Sequence, residues 1–509
     1  MGGAVVRGSF WMFLNTGVTR AASLAATIVL GRLLDDHAWG IYALAMSVAA
    51  IAGTFRDGGV RHLLLQRQTE YDTLVGPVFW LALAFNTGVA LVLCGLAPLI
   101  AQAAGEPQAA TLMYVIAASL PLSTPGIIMQ ARLSIDLRFR EVGLIQSVSG
   151  IVRFGGAIAL AGIGPLAFVL PLVACALLEW ALAWRATHER LWSRPPAASR
   201  WGGMLAASSW IMLGALGVSV INWGSNLAVQ PFVDTETVGA YFFAFQIVVQ
   251  VGILLSSNLN AVLFPALAKI VDQRDRLAGA AARALRQVML LAAPMAMGLG
   301  VTFPALEGLL FAGAKRASVD AVLVQGATYA FAVLLAVPLS VQQARGRFRS
   351  WALGLMLTGA AGLAAAAMGA AIHRSPLGIA AWAGVCTAIT GLAYALVTLA
   401  RIGVPIRTTL ASALPSYAAS LAAGALAWWI DTRLAAPGPD VLPAFVPASL
   451  RAATFEVLRL GIVGGVFSAA FALAARLVLH DHVREALSLL PARVRPLAQR
   501  LMRVREVNP

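Results

Sequence analysis

An arginine at position 20 stands in the middle of a long apolar segment, flanked by Thr16, Ser23 and Thr27 at helical spacing. These four residues share one helical face, while Leu14, Val18, Ala22, Ala25 and Val29 take the other. A charge at membrane depth costs ~2.5–3.5 kcal/mol on insertion scales, so it faces a wet cavity or a partner. Arg56 and Asp57 lie towards the end of the next apolar segment, Arg153 in the middle of the fifth and Glu179 in the sixth. Three arginines against two carboxylates make a cationic lumen. The planar guanidinium fork matches phosphate oxygens, so the implied chemistry is recognition of an anionic, phosphate-bearing group. An Arg153–Glu179 pair would instead make those two charges structural. Gln246 and Gln250 share a face of the eighth segment, where they could bind sugar hydroxyls or bond to a neighbouring helix.

The elements carrying these residues repeat. Ser9, Trp11, Leu14, Asp35, Gly40, Tyr42 and Ala45 return, 199 positions later, as Ser208, Trp210, Leu213, Asp234, Gly239, Tyr241 and Ala244. The same offset carries Arg20, Ser23 and Thr27 to Ser219, Asn222 and Asn226, an equivalent polar stripe without charge. Small polar residues of this kind can also act as interhelical glue in lipid. Membrane proteins built from two such copies are usually transporters.

The rest of the chain fits that pattern. Of 509 residues, 60% are hydrophobic and 12% charged, with a mean hydropathy of +0.81. So few charges cannot clothe a soluble protein of this length. Segments of ~20 apolar residues, enough to cross a bilayer, fall at about 9–31, 39–60, 75–99, 109–130, 143–163, 165–186, 205–229, 237–261, 286–311, 320–342, 350–372, 376–400, 410–430 and 455–478. The expected fold is therefore an all-α polytopic membrane protein of about fourteen transmembrane helices. Two pseudo-symmetric six-helix lobes, 1–194 and 201–401, surround a central cavity. Two additional helices (402–480) and a basic cytoplasmic tail (481–509) follow. Most of the 37 Lys and Arg residues sit in alternate loops, which places both termini in the cytoplasm and accounts for the +15 charge as topology, not nucleic-acid binding. In the tail, Val483, Leu487, Leu490 and Val494 alternate with arginines, the pattern of an amphipathic helix on the inner leaflet or at a docking site.

Other chemistries find no support. Cys94, Cys175 and Cys386 are isolated within spans, the six histidines form no ligand set, and no G-x-x-x-x-G-K-[ST] loop is present. Neither metal, nucleotide nor other cofactor is expected.

Four stretches carry a family resemblance. Val29-Leu-Gly-Arg-Leu-Leu34 with Trp39-Gly-Ile-Tyr-Ala-Leu-Ala45 resembles the first-loop signature of Wzx-type polysaccharide repeat-unit (lipopolysaccharide) flippases, Phe55-Arg-Asp-Gly-Gly59 with Gln66 the stretch closing their second helix, and Leu137-Arg-Phe-Arg-Glu-Val-Gly-Leu-Ile145 and Phe264-Pro-Ala-Leu-Ala268 two recurrent cytoplasmic segments. These flippases form a branch of the multidrug/oligosaccharidyl-lipid/polysaccharide exporter superfamily. The resemblance covers about residues 5–400. It departs at Asp35-Asp-His-Ala-Trp39 and at Asn222 and Asn226, where many relatives have an acidic residue. The family implies a bacterial inner-membrane transporter, not an enzyme. By alternating access it would carry an undecaprenyl-pyrophosphate-type lipid-linked oligosaccharide to the outer leaflet, for O-antigen, capsule or exopolysaccharide synthesis. Membrane lipids, a polysaccharide polymerase and a chain-length regulator would be its partners. Arg20 and Arg56 would hold the pyrophosphate or acidic sugars. A cation-coupled antiporter of the same superfamily would call for an acidic cavity. A membrane polymerase or glycosyltransferase would call for a large outer loop.

Overall fold

The computed structural model describes residues 2–54, 64, 70–136, 138–436, 438–439 and 448–488. Among them the chain is helical, with no strand. The first helices are α1 (Gly2–Leu33), α2 (Asp36–Gly53), α3 (Tyr71–Ala104), α4 (Pro107–Ile135), α5 (Phe139–Ala159) and α6 (Leu170–Thr187). Next comes α7 (Trp201–Ser219), continued by a π-helical turn, Val220–Gly224, and a short segment, Ser225–Val229. Then follow α8 (Thr235–Ala268), α9 (Arg274–Phe311) and α10 (Val319–Thr328, continued by Ala330–Leu334 and Ala336–Ala344). The last are α11 (Phe348–His373), α12 (Pro376–Ala400), α13 (Ile406–Ala435), α14 (Ala448–Leu477) and α15 (His480–Ser488). The break before Ala336 lies where Pro338 removes a backbone donor and crowds the carbonyl four residues back.

Among the described residues, eleven helices are long and apolar enough to cross a membrane: α3 to α14 without α8. The helices α1 and α8 cover the expected segments 9–31 and 237–261, and α2 the first part of 39–60 as far as Gly53, but the three are not in that set, so eleven of the fourteen expected spans are matched among the described residues. The protein is a multi-pass membrane protein.

The chain forms two compact units, Met1–Phe242 with Leu355–Leu363, and Phe243–Gly354 with Ala364–Pro509. In the first, the sequence repeat becomes a physical contact. Asp35 caps α2 by accepting a 2.8 Å hydrogen bond from the Ala38 backbone, and its repeat Asp234 accepts a 2.7 Å bond from Thr237 at the head of α8. Five residues on from each cap, Gly40 and Gly239 are both buried. A β-carbon on Gly40 would collide with the Thr235 carbonyl, and one on Gly239 with the Asp36 carbonyl. Thr235 is itself the repeat of Asp36, so equivalent residues exchange places, as a local two-fold axis requires. Trp39, Tyr42, Phe168 and Phe242 pack around this contact, Tyr42 stacking on Phe168 at 4.0 Å.

The second unit is built on α9, α10, α12 and α13, whose core includes Leu285, Met289, Phe331, Val337 and Leu399. Arg459 of α14 grips Asp431 of α13 through two bonds of 2.6 and 2.8 Å, and the main-chain nitrogen of buried Lys315 donates to Glu307. The first turns of the tail form α15, which docks on this unit: Val483 is buried and Glu485 pairs with Arg286 at 3.0 Å.

Two expectations follow. Gly239→Val should abolish accumulation of folded protein, because neither backbone can yield; Gly17→Ala, where an added carbon meets nothing within 4 Å, should leave expression and Tm unchanged. The Thr237 hydroxyl and backbone N–H hold the Asp234 carboxyl below the usual carboxylate range. A lowered folded value means the cap's contribution is complete above about pH 4 and fades as pH falls through that lowered value. Asp234→Ala should therefore cost about 0.5 kcal/mol at neutral pH, the low end for an exposed cap. That difference in Tm from the wild type should narrow in acid.

Candidate functional site

The first unit encloses a cavity of about 610 Å³ between α1, α2, α4, α5 and α6. Arg20 and Ser23 enter it from α1, Thr54 from the end of α2, Gln146, Ser149 and Arg153 from α5, and Glu179 from α6. Its described lining thus holds two arginines and one carboxylate, a net charge of +1.

The carboxylate is satisfied without either arginine. Ser149 Oγ donates to Glu179 Oε1 at 2.5 Å and Gln130 Nε2 donates to Oε2 at 3.4 Å. Among the described residues Arg153 makes no ion pair with Glu179; its guanidinium interacts with the Tyr42 hydroxyl and lies 5.5 Å from the Phe154 ring. Arg20 is half-buried and has no carboxylate partner among the described residues. Several cavity hydroxyls turn back on their own helices, Ser119 to Ile116 O and Ser123 to Leu120 O, so they add little competing polarity. The cavity therefore presents two guanidinium groups whose donors are not consumed by carboxylates. Such a pair can take the oxygens of a phosphate or an acidic sugar.

Of the residues the sequence singled out, Arg20, Ser23 and Arg153 meet in this cavity. Thr27 lies one turn further along α1 and bonds back to Ser23 O at 2.9 Å, outside the described lining. Arg56 and Asp57 lie outside the described residues. Gln246 and Gln250 belong to the second unit and do not line the cavity.

Asn222 and Asn226 are also absent from the lining, although Ser23, the repeat of Asn222 on α1, belongs to it. Asn222 bonds to Val218 O on its own helix at 2.9 Å. Asn226 is buried and donates to Ser47 Oγ of α2 at 3.2 Å. The π-helical turn at Val220–Gly224 explains the difference. One such turn shifts the helical phase by roughly one residue, about 100°, whereas α1 runs as unbroken α-helix. Ser219, before the turn, keeps the expected direction: it lines the cavity and its hydroxyl lies 2.5 Å from that of Thr54. The sequence reading passed over Gln146 and Ser149, yet Gln146, Ser149 and Arg153 follow the same three-and-four spacing as the stripe on α1. Replacing Asn226 by leucine should lower stability by about 1 kcal/mol, read as a drop in Tm in detergent, while Asn222→Ala should leave Tm unchanged.

Comparison with known proteins places this arrangement. The profile described as "Polysaccharide biosynthesis protein" matches residues 29–314. Lipopolysaccharide biosynthesis protein WzxC of Escherichia coli is 25% identical over 332 residues, 62% of this chain and 65% of that protein. Succinoglycan biosynthesis transport protein ExoT of Rhizobium meliloti is 25% identical over 300 residues, 58% and 60% of the two chains. The chain thus spans less than two thirds of either relative's length. The inward closed structure of the lipid II flippase MurJ has the same fold, with a TM-score of 0.67 at 12% identity, covering 91% of this chain and 98% of that one. With more than half of its length matched by the profile, the chain is a member of the polysaccharide biosynthesis protein family.

Proposed function

We propose that this protein is a flippase that moves a polyprenyl-pyrophosphate-linked oligosaccharide from the inner to the outer leaflet of the bacterial inner membrane. It would work by alternating access, with both termini in the cytoplasm, and catalyse no covalent chemistry. The observation that carries this reading is the pairing of Arg20 and Arg153 in one cavity, with the only described carboxylate there occupied by Ser149 and Gln130. Family membership supports a saccharide cargo, and WzxC and ExoT are named for polysaccharide biosynthesis and transport. In this reading Arg20, Arg153 and Arg56 hold the pyrophosphate, with Asp57 a further candidate beside them in the sequence. Ser23, Thr27, Asn222, Asn226, Gln246 and Gln250 offer hydrogen bonds to sugar or to the helices that carry them. The repeats 1–194 and 201–401 move as the two lobes, with 402–480 and 481–509 as additions. A polysaccharide polymerase and a chain-length regulator would receive the product. An antiporter of cationic compounds is disfavoured by the same net positive lining.

Proteoliposomes holding the purified protein and a fluorescent polyprenyl-pyrophosphate disaccharide test the proposal. Wild type should carry the probe across, and an inert protein would overturn the reading. Charge-assisted hydrogen bonds are worth ~1.5–3 kcal/mol each, so Arg20→Ala with Arg153→Ala, which removes two, should slow crossing by roughly a hundredfold to ten-thousandfold. An unchanged rate in that double variant would remove the cavity from the mechanism.

A further inference from the structure

A second recess of about 620 Å³ lies on the outside of the first unit, where α3 meets the linker that follows α6. Its floor is the exposed face of α3 formed by Ala84, Thr87, Gly88 and Leu91. Three tryptophans, Trp80, Trp192 and Trp201, wall one end, with Arg194 beside them. Two of the indoles are fixed: Trp80 Nε1 donates to Arg194 O at 2.8 Å and Trp201 Nε1 to Pro196 O at 3.1 Å. The linker itself is tied to α3, since Tyr71 donates to Glu189 Oε2 at 3.0 Å. Burial pushes the Glu189 carboxyl above its usual range, and Arg132 and Arg194 counter that shift.

Membrane proteins collect tryptophan at the level of the lipid headgroups. From Trp80 to Leu91 the helix rises about 16 Å, close to the ~15 Å half-thickness of a hydrocarbon core. The groove therefore runs from headgroup level to about mid-bilayer. Its floor is apolar and largely uncovered, Leu91 being 68% exposed. At the headgroup end, the Arg194 guanidinium is 42% exposed and reaches the Asp72 carbonyl and carboxylate, each at a long 3.4 Å, with Asp72 itself 71% exposed. So loose a surface pair is worth little and leaves the arginine available to an anion. The linker adds Arg190 and Arg200 against the single acid Glu189.

We infer that this groove holds one anionic phospholipid, its acyl chain along Ala84, Gly88 and Leu91 and its phosphate on Arg194. The site is separate from the arginine cavity and does not rest on the proposed transport. It would tie the linker to the leaflet it faces.

Native mass spectrometry of the detergent-purified full-length protein, given equal phosphatidylglycerol and phosphatidylcholine, tests the inference. Wild type should retain phosphatidylglycerol at least fivefold over phosphatidylcholine. A carbon added at Gly88 meets nothing within 4 Å, so Gly88→Leu can fill the floor without a collision and should cut total retained lipid at least fivefold. Ala84→Leu, on the same exposed face, should do the same and stands in should Gly88→Leu fail to fold. Arg194→Gln should keep the lipid but erase the preference. Equal retention of both lipids by wild type, or undiminished retention in a folded filling variant, overturns the site. So does a lipid-free dimer that Gly88→Leu or Ala84→Leu dissociates, since a second copy would then be the occupant.

Discussion

The backbone contact at Gly40 and Gly239 sets the geometry of the first unit, because a side chain at either position would strike a carbonyl of the opposite helix. The contact fixes α2 along its length. Two residues beyond Gly40, Tyr42 is placed to stack on Phe168 and to meet the Arg153 guanidinium. Further on, Ser47 pairs with Asn226 and Thr54 with Ser219, two rungs seven residues apart on antiparallel helices. The cavity wall formed by α2 is thus aligned at one end by packing alone and along the rest by hydrogen bonds. Packing of small residues is the strong device here, since lipid supplies no hydrophobic drive between helices.

Electrostatics in the cavity follow from which donor reaches the carboxylate. A half-buried acid beside two arginines would ordinarily form a salt bridge and consume one of them. Here neutral donors, Ser149 and Gln130, take both oxygens of Glu179. Desolvating the two guanidinium groups remains costly, and a polar cavity large enough to admit water or ligand offsets that cost. Such an arrangement favours an anion that arrives from outside over an internal partner. The buried charges of the second unit are arranged the opposite way, since Arg459 is closed off by Asp431 and Glu456.

Much of this was legible in the residues. Period and hydropathy identified an all-helical membrane protein, and the stripe around Arg20 pointed into the cavity because α1 is a regular helix whose faces follow the 3.6-residue rule. Asp35 and Asp234 stood out as repeated residues, and both are helix caps. What the sequence could not reveal was which repeated residues touch, since the Gly40–Gly239 contact joins positions 199 apart. Nor could it reveal that Glu179 prefers Ser149 to Arg153, a choice set by side-chain reach between α5 and α6. Gln246 and Gln250 have the right spacing but lie on the second unit. Spacing reports a shared face and is silent on what that face meets.

The π-helical turn at Val220–Gly224 has a consequence for anyone who would redesign the protein by exchanging residues between its halves. Just before it, Ser219 still enters the cavity as its partner Arg20 does. Within and just after it Asn222 and Asn226 leave the cavity, so a graft of Thr27 onto Asn226 would transplant a hydroxyl from the neighbourhood of the cavity into a helix seam. Duplicated genes can diverge in this manner without gaining or losing a codon. A single widened turn gives the side chains beside it new neighbours, while Gly40 and Gly239 further on still meet as equivalents.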